Sequence, residues 1–213
     1  MIEDEGLEVL ASVVAPIISL MRRTGYFDLR AEASRLGPNY FVTLATFEKP
    51  ARRLLAKKNA RFWPLLIDEL PHESARKYFR AHGMNRLVGQ MTDSDMRFIK
   101  KFVLQNWPIE AKEAARKLKN SYICSPARIK RIIRTERIIA LNGSKLENEL
   151  GKGRYKYKIW CCVSDGASRK SHKKRDGEKR LLNEPFSGGI MFPGDGPASE
   201  CVNCRCILLY SNS

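Results

Sequence analysis

Anionic side chains are scarce in this sequence: 23 Asp and Glu stand against 39 Lys and Arg over 213 residues, a formal net charge of +16. A chain this basic points to a polyanionic partner, nucleic acid first and an anionic membrane surface second. Long apolar runs are missing as well. The stretch Val9–Met21 is interrupted by Pro16 and falls short of the roughly 20 residues that a bilayer-spanning helix needs. Glu3, Asp4, Glu5 and Glu8 precede it, the wrong sign for the start of a secretory signal. Six clustered cysteines are too few for a disulfide framework in a chain this long, so the sequence reads as a soluble protein made in a reducing cytoplasm. The marks of intrinsic disorder are also lacking, since 43% hydrophobic and 29% charged residues are ordinary globular values.

The positive charge that remains is unevenly placed. Residues 1–50 hold five Lys/Arg against seven Asp/Glu, whereas residues 97–137 hold twelve against three and residues 154–180 ten against three. The last two windows carry the whole net charge. A solvated helix face and a solvated turn would satisfy the pattern, but a bias shared by two separate segments favours contact with a polyanion. The candidate contacts are Lys130, Arg131, Arg137, Arg154, Lys156, Lys158, Lys170, Lys173, Lys174 and Arg175.

Helical spacing dominates the first two thirds. Leu7, Leu10, Val14, Ile17, Ile18 and Met21 share a face, with Pro16 expected to kink or split the helix and Thr24-Gly25 to end it. Gly37-Pro38-Asn39 reads as a turn, and Tyr40–Phe47 suits strand or helix. Arg52–Glu69 is helical, limited by Pro64, and Glu73–Ala81 follows with His82-Gly83 at its end. His72 and His82 read as surface residues. Thr92-Asp93-Ser94-Asp95 has the composition of an N-cap and acidic first turn, starting a helix that carries Phe98, Ile99, Phe102, Val103 and Ile109. Another helix is expected at Glu110–Lys119. Ser125-Pro126 then supplies N-cap and N1 of a helix with Ile129, Ile132, Ile133 and Ile139 inward and Asn142-Gly143 near its end.

After Gly151 the period changes. Tyr155, Tyr157 and Ile159 alternate in a strand over Tyr155–Val163, Asp176-Gly177 forms a turn, Gly188 to Pro197 a Gly/Pro-rich loop, and Val202–Tyr210 a closing strand. The fold class is α+β: a helical N-terminal region followed by a small β-rich C-terminal domain. Three parts are expected, a helical region 1–90 without an assigned role, a helical part 91–150, and the β-rich part 151–213.

The C-terminal part concentrates the chemically capable residues. Cys201-x2-Cys204-x-Cys206 places three thiols within six residues, and His172 can supply a fourth ligand, a set that tetrahedral zinc accepts. In a strand, Cys204 and Cys206 point to one face. The same spacing also suits small half-buried cysteines packing a compact β-unit, with Asn203 and Arg205 bonding the Gly/Pro loop. Asp165, Arg169 and His172 fit a hydrogen-bonded network that pins loops, with Arg169 and His172 one turn apart and able to share a carboxylate. A Cys–His nucleophile pair is the competing reading. Arg134 and Glu136 are expected to tie the long helix to the β-unit by an ion pair.

Taken in order over the last half of the chain, these pieces resemble the phage Mu F-like minor head (head morphogenesis) proteins of tailed bacteriophages. The resemblance rests on Ser125 at a helix start, Arg134-Thr135-Glu136, the strand tryptophan Trp160, and Asp165/Arg169/His172 leading to Asp176-Gly177. It continues through Glu184-Pro185-Phe186, Pro193-Gly194-Asp195 and Asn203-Cys204-Arg205-Cys206. Cys201 and Cys161-Cys162 are additions to that pattern. The resemblance implies a minor capsid protein without enzymatic activity, present in a few copies inside the capsid near the portal vertex after assembly in the host bacterial cytoplasm. It implies the portal protein, capsid or scaffolding proteins, and double-stranded DNA as partners. A zinc-dependent nucleic-acid-binding module and a toxin-like effector enzyme are the alternatives.

Overall fold

The computed structural model describes residues 10–19 and 38–213. Leu7, Met21 and the expected Thr24-Gly25 stop lie outside them. The chain divides into two compact units, one comprising the residues up to Phe62 together with Asn85–Arg128, the other Trp63–Met84 together with Ile129–Ser213.

The first unit is helical. Residues 10–19 (α1) are helical through Pro16, and α2 runs Pro38–Ala60, through Pro50. Tyr40–Phe47 is thus helix, and the helix expected to start at Arg52 starts well before it. Helix α3 (Trp63–Asp68) and α4 (Glu73–Tyr78) belong to the other unit. A π-helical turn, Phe79–Gly83, follows α4, and α5 covers Met84–Gln105. The helix expected to begin at Thr92 therefore begins at Met84, and Thr92 and Asp95 are buried within it. The reason is a tertiary partner set. Asp95 forms an ion pair with Arg128 at 2.6 Å and accepts from Asn59 Nδ2 at 3.1 Å, so its carboxylate is used sideways and not on its own backbone. Helix α6 (Ala111–Lys119) carries Glu113 in its first turn and Arg116, Lys117 and Lys119 in its last, as the helix dipole favours. The core here joins Leu10, Val13, Val14 and Ile17 to Leu55, Met96, Ile99, Val103, Leu118 and Ile123.

Helix α7 (Pro126–Lys152) starts where Ser125 caps it: the Arg128 amide donates to Ser125 Oγ at 3.2 Å. It does not stop near Asn142-Gly143. Both sit in its interior. Ile139, Ala140 and Leu146 are buried along it, whereas Ile129, Ile132 and Ile133 are only half-buried.

In the second unit a three-stranded antiparallel sheet has the order β2-β1-β3, with β1 at Tyr157–Cys161, β2 at Lys179–Leu181 and β3 at Ile207–Ser211. Rungs join Lys158 to Arg180 and Tyr210, and Trp160 to Leu208. Burial alternates so that Lys158 and Trp160 face inward with Leu208. The alternating set Tyr155, Tyr157 and Ile159 is the outer one; a strand has two faces, and here the inner one is built on a lysine and a tryptophan. Two further short helices complete the unit, α8 (Lys170–Lys174) and α9 (Ala198–Cys201). The expected Val202–Tyr210 strand is shorter because a turn takes up Val202 and Asn203 after α9, and pairing with β1 begins only at Ile207. The core gathers Leu146, Trp160, Cys162, Leu182, Phe186, Ile190, Cys204, Cys206 and Leu208. Among the described residues, no helix is long and apolar enough to cross a membrane.

Candidate functional site

Trp160, which with Lys158 forms the inward face of β1, is the floor of the site. Its ring meets Phe186 edge-on at 5.4 Å and His172 at 5.5 Å, and the Arg175 guanidinium lies 5.4 Å from its centre. Gly177, at φ +76, makes the tight turn expected after Asp176: its amide donates to Trp160 O at 2.9 Å, and the Trp160 amide donates to Glu178 O at 3.0 Å. Asp176 accepts from the Cys162 amide at 2.8 Å and from the Ser164 hydroxyl at 3.2 Å. The Asp-Gly pair thus holds the exit of β1 and the short helix α8 in one frame.

Helix α8 delivers His172 to the interior, 3% exposed. His172 Nδ1 lies 3.3 Å from Cys206 Sγ and 3.7 Å from Cys204 Sγ. The three donor atoms are all within 4.8 Å of one another, and among the described residues no other His, Cys, Asp and Glu side chains converge this way in threes. Asn203 adopts the left-handed conformation (φ 56), which asparagine tolerates, and its amide donates to Thr135 Oγ1 at 3.1 Å. That turn brings Cys204 and Cys206 back beneath Trp160.

On its other side, His172 Nε2 is 3.2 Å from Glu200 Oε2, with the ring not turned to make a straight hydrogen bond. Glu200 accepts from Arg175 Nη1 at 2.7 Å and from Ser171 Oγ at 3.0 Å. Burial pushes its carboxyl up, and these bonds outweigh it and hold the group below the usual range. Burial lowers the His172 imidazole against the pull of Glu200, leaving a neutral ring. The bond between the two thiols moves them in opposite directions, Cys204 down and Cys206 up, with burial adding to the rise of Cys206.

The expected residues separate into distinct roles. Asp165 accepts from Arg205 at 2.6 Å, from the Ala167 amide at 3.0 Å and from Ser168 at 3.1 Å, and the Arg205 bond is the main cause holding its carboxyl down at about 2. Arg169 donates to Val202 O. Asp165, Arg169 and His172 therefore do not meet as one cluster, and the carboxylate beside His172 is Glu200, shared with Arg175 and Ser171. Thr135 is what joins α7 to the Asn203 turn, flanked by exposed Arg134 and buried Glu136. Cys201 stands outside the His172 cluster, with its thiol donating to Gly194 O at 3.0 Å.

Two of the expected surface cations are interior. Lys158 is 0% exposed, donates to Met191 O at 2.8 Å and lies 5.1 Å from the Phe186 ring centre. Arg175 is buried between Glu200, Ser187 O and Trp160. Lys130, Arg131, Arg137, Arg154, Lys156, Lys170, Lys173 and Lys174 are exposed, Arg154 in an ion pair with Glu149. Sequence reasoning missed Glu200, Asn142 and the inward Lys158. Glu200 carries no local signal, since its partners lie 25 to 29 residues earlier.

Buried thiols and a neutral buried imidazole lack the exposure that a Cys–His nucleophile needs to meet a substrate. What the geometry does offer is a brace: α7, α8, α9 and the sheet are tied by side chains to loop backbone. Comparison with curated proteins and with solved structures gives no match. Residues 109–209 match the model of the family described as Phage Mu protein F like protein. That span contains Thr135, Trp160, His172, Asp176-Gly177 and the Asn203–Cys206 turn, and over it, somewhat less than half of its length, the chain is similar to the phage Mu F-like proteins.

Proposed function

We propose that this chain is a non-enzymatic minor capsid protein that associates with the portal during head assembly and touches the packaged or ejecting DNA through exposed cations. The observation that carries the reading is the family match over 109–209, the segment whose polar side chains serve as internal braces. The DNA contact draws support from Lys130, Arg131, Arg134 and Arg137. They are all exposed, and their spacing along α7 forms one stripe. Lys170, Lys173 and Lys174 add a second exposed group on α8. Such contact is phosphate-driven and indifferent to sequence.

Mass spectrometry of purified particles tests the assembly role: a few copies per portal are expected in both empty procapsids and DNA-filled heads. Absence from all particles, with abundant protein in the cell, rejects it. The DNA contact has its own test. Replacing Lys130, Arg131, Arg134 and Arg137 by Gln is expected to flatten the slope of log affinity against log salt by about 3–4, at roughly 0.9 per phosphate contact. An unchanged slope removes the α7 stripe from the interface.

A further inference from the structure

We propose that the chain binds one structural zinc ion through His172 Nδ1 and the thiolates of Cys162, Cys204 and Cys206, with Glu200 as the carboxylate behind the histidine. The ligand set differs from the one the CxxCxC spacing suggests, because the fold sends Cys201 to the carbonyl oxygens of Gly194 and Gly196.

The distances suit the ion. Zinc binds sulfur at about 2.3 Å and imidazole nitrogen at about 2.0–2.1 Å, so a tetrahedral site spaces a sulfur and a nitrogen ligand about 3.6 Å apart. His172 Nδ1 is 3.3 Å and 3.7 Å from the two sulfurs. For these three ligands only small side-chain adjustments separate the geometry from that of a bound ion.

The sheet register supplies the fourth ligand. The final rung of β1 with β3 pairs Cys161 with Ile207. Continued one residue beyond that rung, the register would set Cys162 opposite Cys206, on the inward face that Trp160 occupies. The Cys162 thiol is within hydrogen-bonding reach of Cys206 but outside the group of three donor atoms, so it must turn toward His172 and Cys204 to complete the set, while its backbone is fixed by Asp176. All four ligands are buried, Cys162 at 8% exposure being the least so. A closed, four-ligand site is the structural kind, without the open position that a catalytic zinc keeps.

The surroundings complete the pattern. Metal-bound histidines usually donate their second nitrogen to a carboxylate, which fixes the tautomer. Glu200, itself oriented by Arg175 and Ser171, stands at His172 Nε2, leaving Nδ1 as the unprotonated nitrogen. The buried Trp160 indole N–H has no oxygen or nitrogen acceptor and lies beside the Cys206 sulfur, where a metal-bound thiolate would receive it. Binding joins the end of β1, α8 and the approach to β3 at one point, and the thiol protons leave to solvent.

The full chain, purified from cells grown with zinc, is expected to carry one zinc per chain by elemental analysis. Its zinc-edge absorption fine structure should fit three sulfurs and one nitrogen. This measurement needs no variant, so loss of folding cannot confuse it. Cys201→Ser is expected to keep the zinc, while Cys162→Ser changes the shell to two sulfurs and weakens retention against a chelator. A folded wild-type chain that holds no zinc, and shows no thiolate charge-transfer band when titrated with cobalt(II), overturns the proposal. A three-sulfur shell that survives Cys162→Ser but not Cys201→Ser overturns the ligand assignment. The inference is independent of the head-assembly reading, since metal content is measured on the isolated chain.

Discussion

Asn142 and Leu208 lie 66 positions apart, yet the Leu208 amide donates to Asn142 Oδ1 at 3.1 Å in a buried hydrogen bond. The other end of the same amide donates to Pro193 O at 2.9 Å and to Cys206 O at 3.1 Å. One side chain in the interior of α7 thereby satisfies three backbone groups, on the Gly/Pro loop, at the approach to β3 and on β3 itself. Asn142 is 1% exposed, so none of them can turn to water instead.

Asn142→Ala leaves two carbonyls and one amide without partners. The expected loss is about 2–4 kcal/mol of stability, the scale on which buried groups are penalised when their partners vanish. Hydrogen exchange at the Leu208 amide gives a local reading, and its protection should fall with the global midpoint. If exchange at Leu208 is unchanged in a folded Asn142→Ala protein, the bond has no part in holding β3.

Gly143, the next residue, should resist the substitution that helix propensity favours. In a helix interior, Gly→Ala ordinarily gains about 1 kcal/mol. Here an added Cβ would stand 2.3 Å from Tyr78 Cζ and 2.6 Å from its hydroxyl oxygen. The Tyr78 ring is itself held edge-on to Phe192 at 6.3 Å and against His82 at 4.6 Å. Gly143→Ala is therefore expected to destabilise by about 1–3 kcal/mol, the cost of overpacking. Adding Tyr78→Ala should recover part of that loss. Thermal denaturation of the two single variants and the double variant measures this, and a stabilised Gly143→Ala protein would contradict the close approach.

These two residues also mark what could and could not be read along the chain. The helix start at Ser125-Pro126 and the turn at Asp176-Gly177 were legible because a cap and a tight turn are local devices, fixed within a few residues. The stop at Asn142-Gly143 was misread because the same two residue types serve equally well as a helix end and as a partner for distant backbone. Asp95 repeats the lesson, its carboxylate being used by Asn59 and Arg128 where a local cap was expected. The strand at Tyr157–Cys161 was visible from alternation, but its inward face was not, because period two marks both faces and the lysine sits on the inner one. Of the four residues that the cysteine spacing suggested, Cys204, Cys206 and His172 converge, whereas Cys201 turns to the carbonyls of Gly194 and Gly196. The proposed part for Cys162 comes from strand register, which pairs Cys161 with Ile207 across 46 positions and leaves no mark in local spacing.

Lys158 gives a pH prediction. Burial is the main cause that lowers its ammonium from the ordinary value to about 8, against opposing pulls from Asp195 and Glu184. A lysine whose folded pKa lies below its unfolded value favours unfolding while it is charged. Between about pH 8 and 10.5 the unfolded chain holds a proton that the folded chain does not, so stability contributed by this group rises with pH across that window. Lys158→Met removes the titrating group and keeps the volume. The difference in stability between wild type and Lys158→Met, followed by urea denaturation, should shift in favour of wild type as pH is raised from 8 to 10. A difference that stays flat would mean that Lys158 remains charged inside the fold.

The helical unit offers a test of a buried ion pair. Asp95 and Arg128 are 0% and 4% exposed and sit 2.6 Å apart, with Arg128 Nη1 donating to Ile123 O at 2.9 Å and Asn59 donating to Asp95. Two desolvated charges repay their burial only while both are present. Asp95→Leu strands a guanidinium and Arg128→Met strands a carboxylate, so each single change is expected to cost about 3–5 kcal/mol. The double variant should cost clearly less than the sum of the two, because it leaves neither charge behind. Denaturant unfolding of the wild type, both singles and the double supplies all four corners of that cycle. Strict additivity would show that the two charges are solvated independently. A double variant near wild-type stability would instead assign the pair to specifying how α7 begins, with little net contribution to holding the unit together.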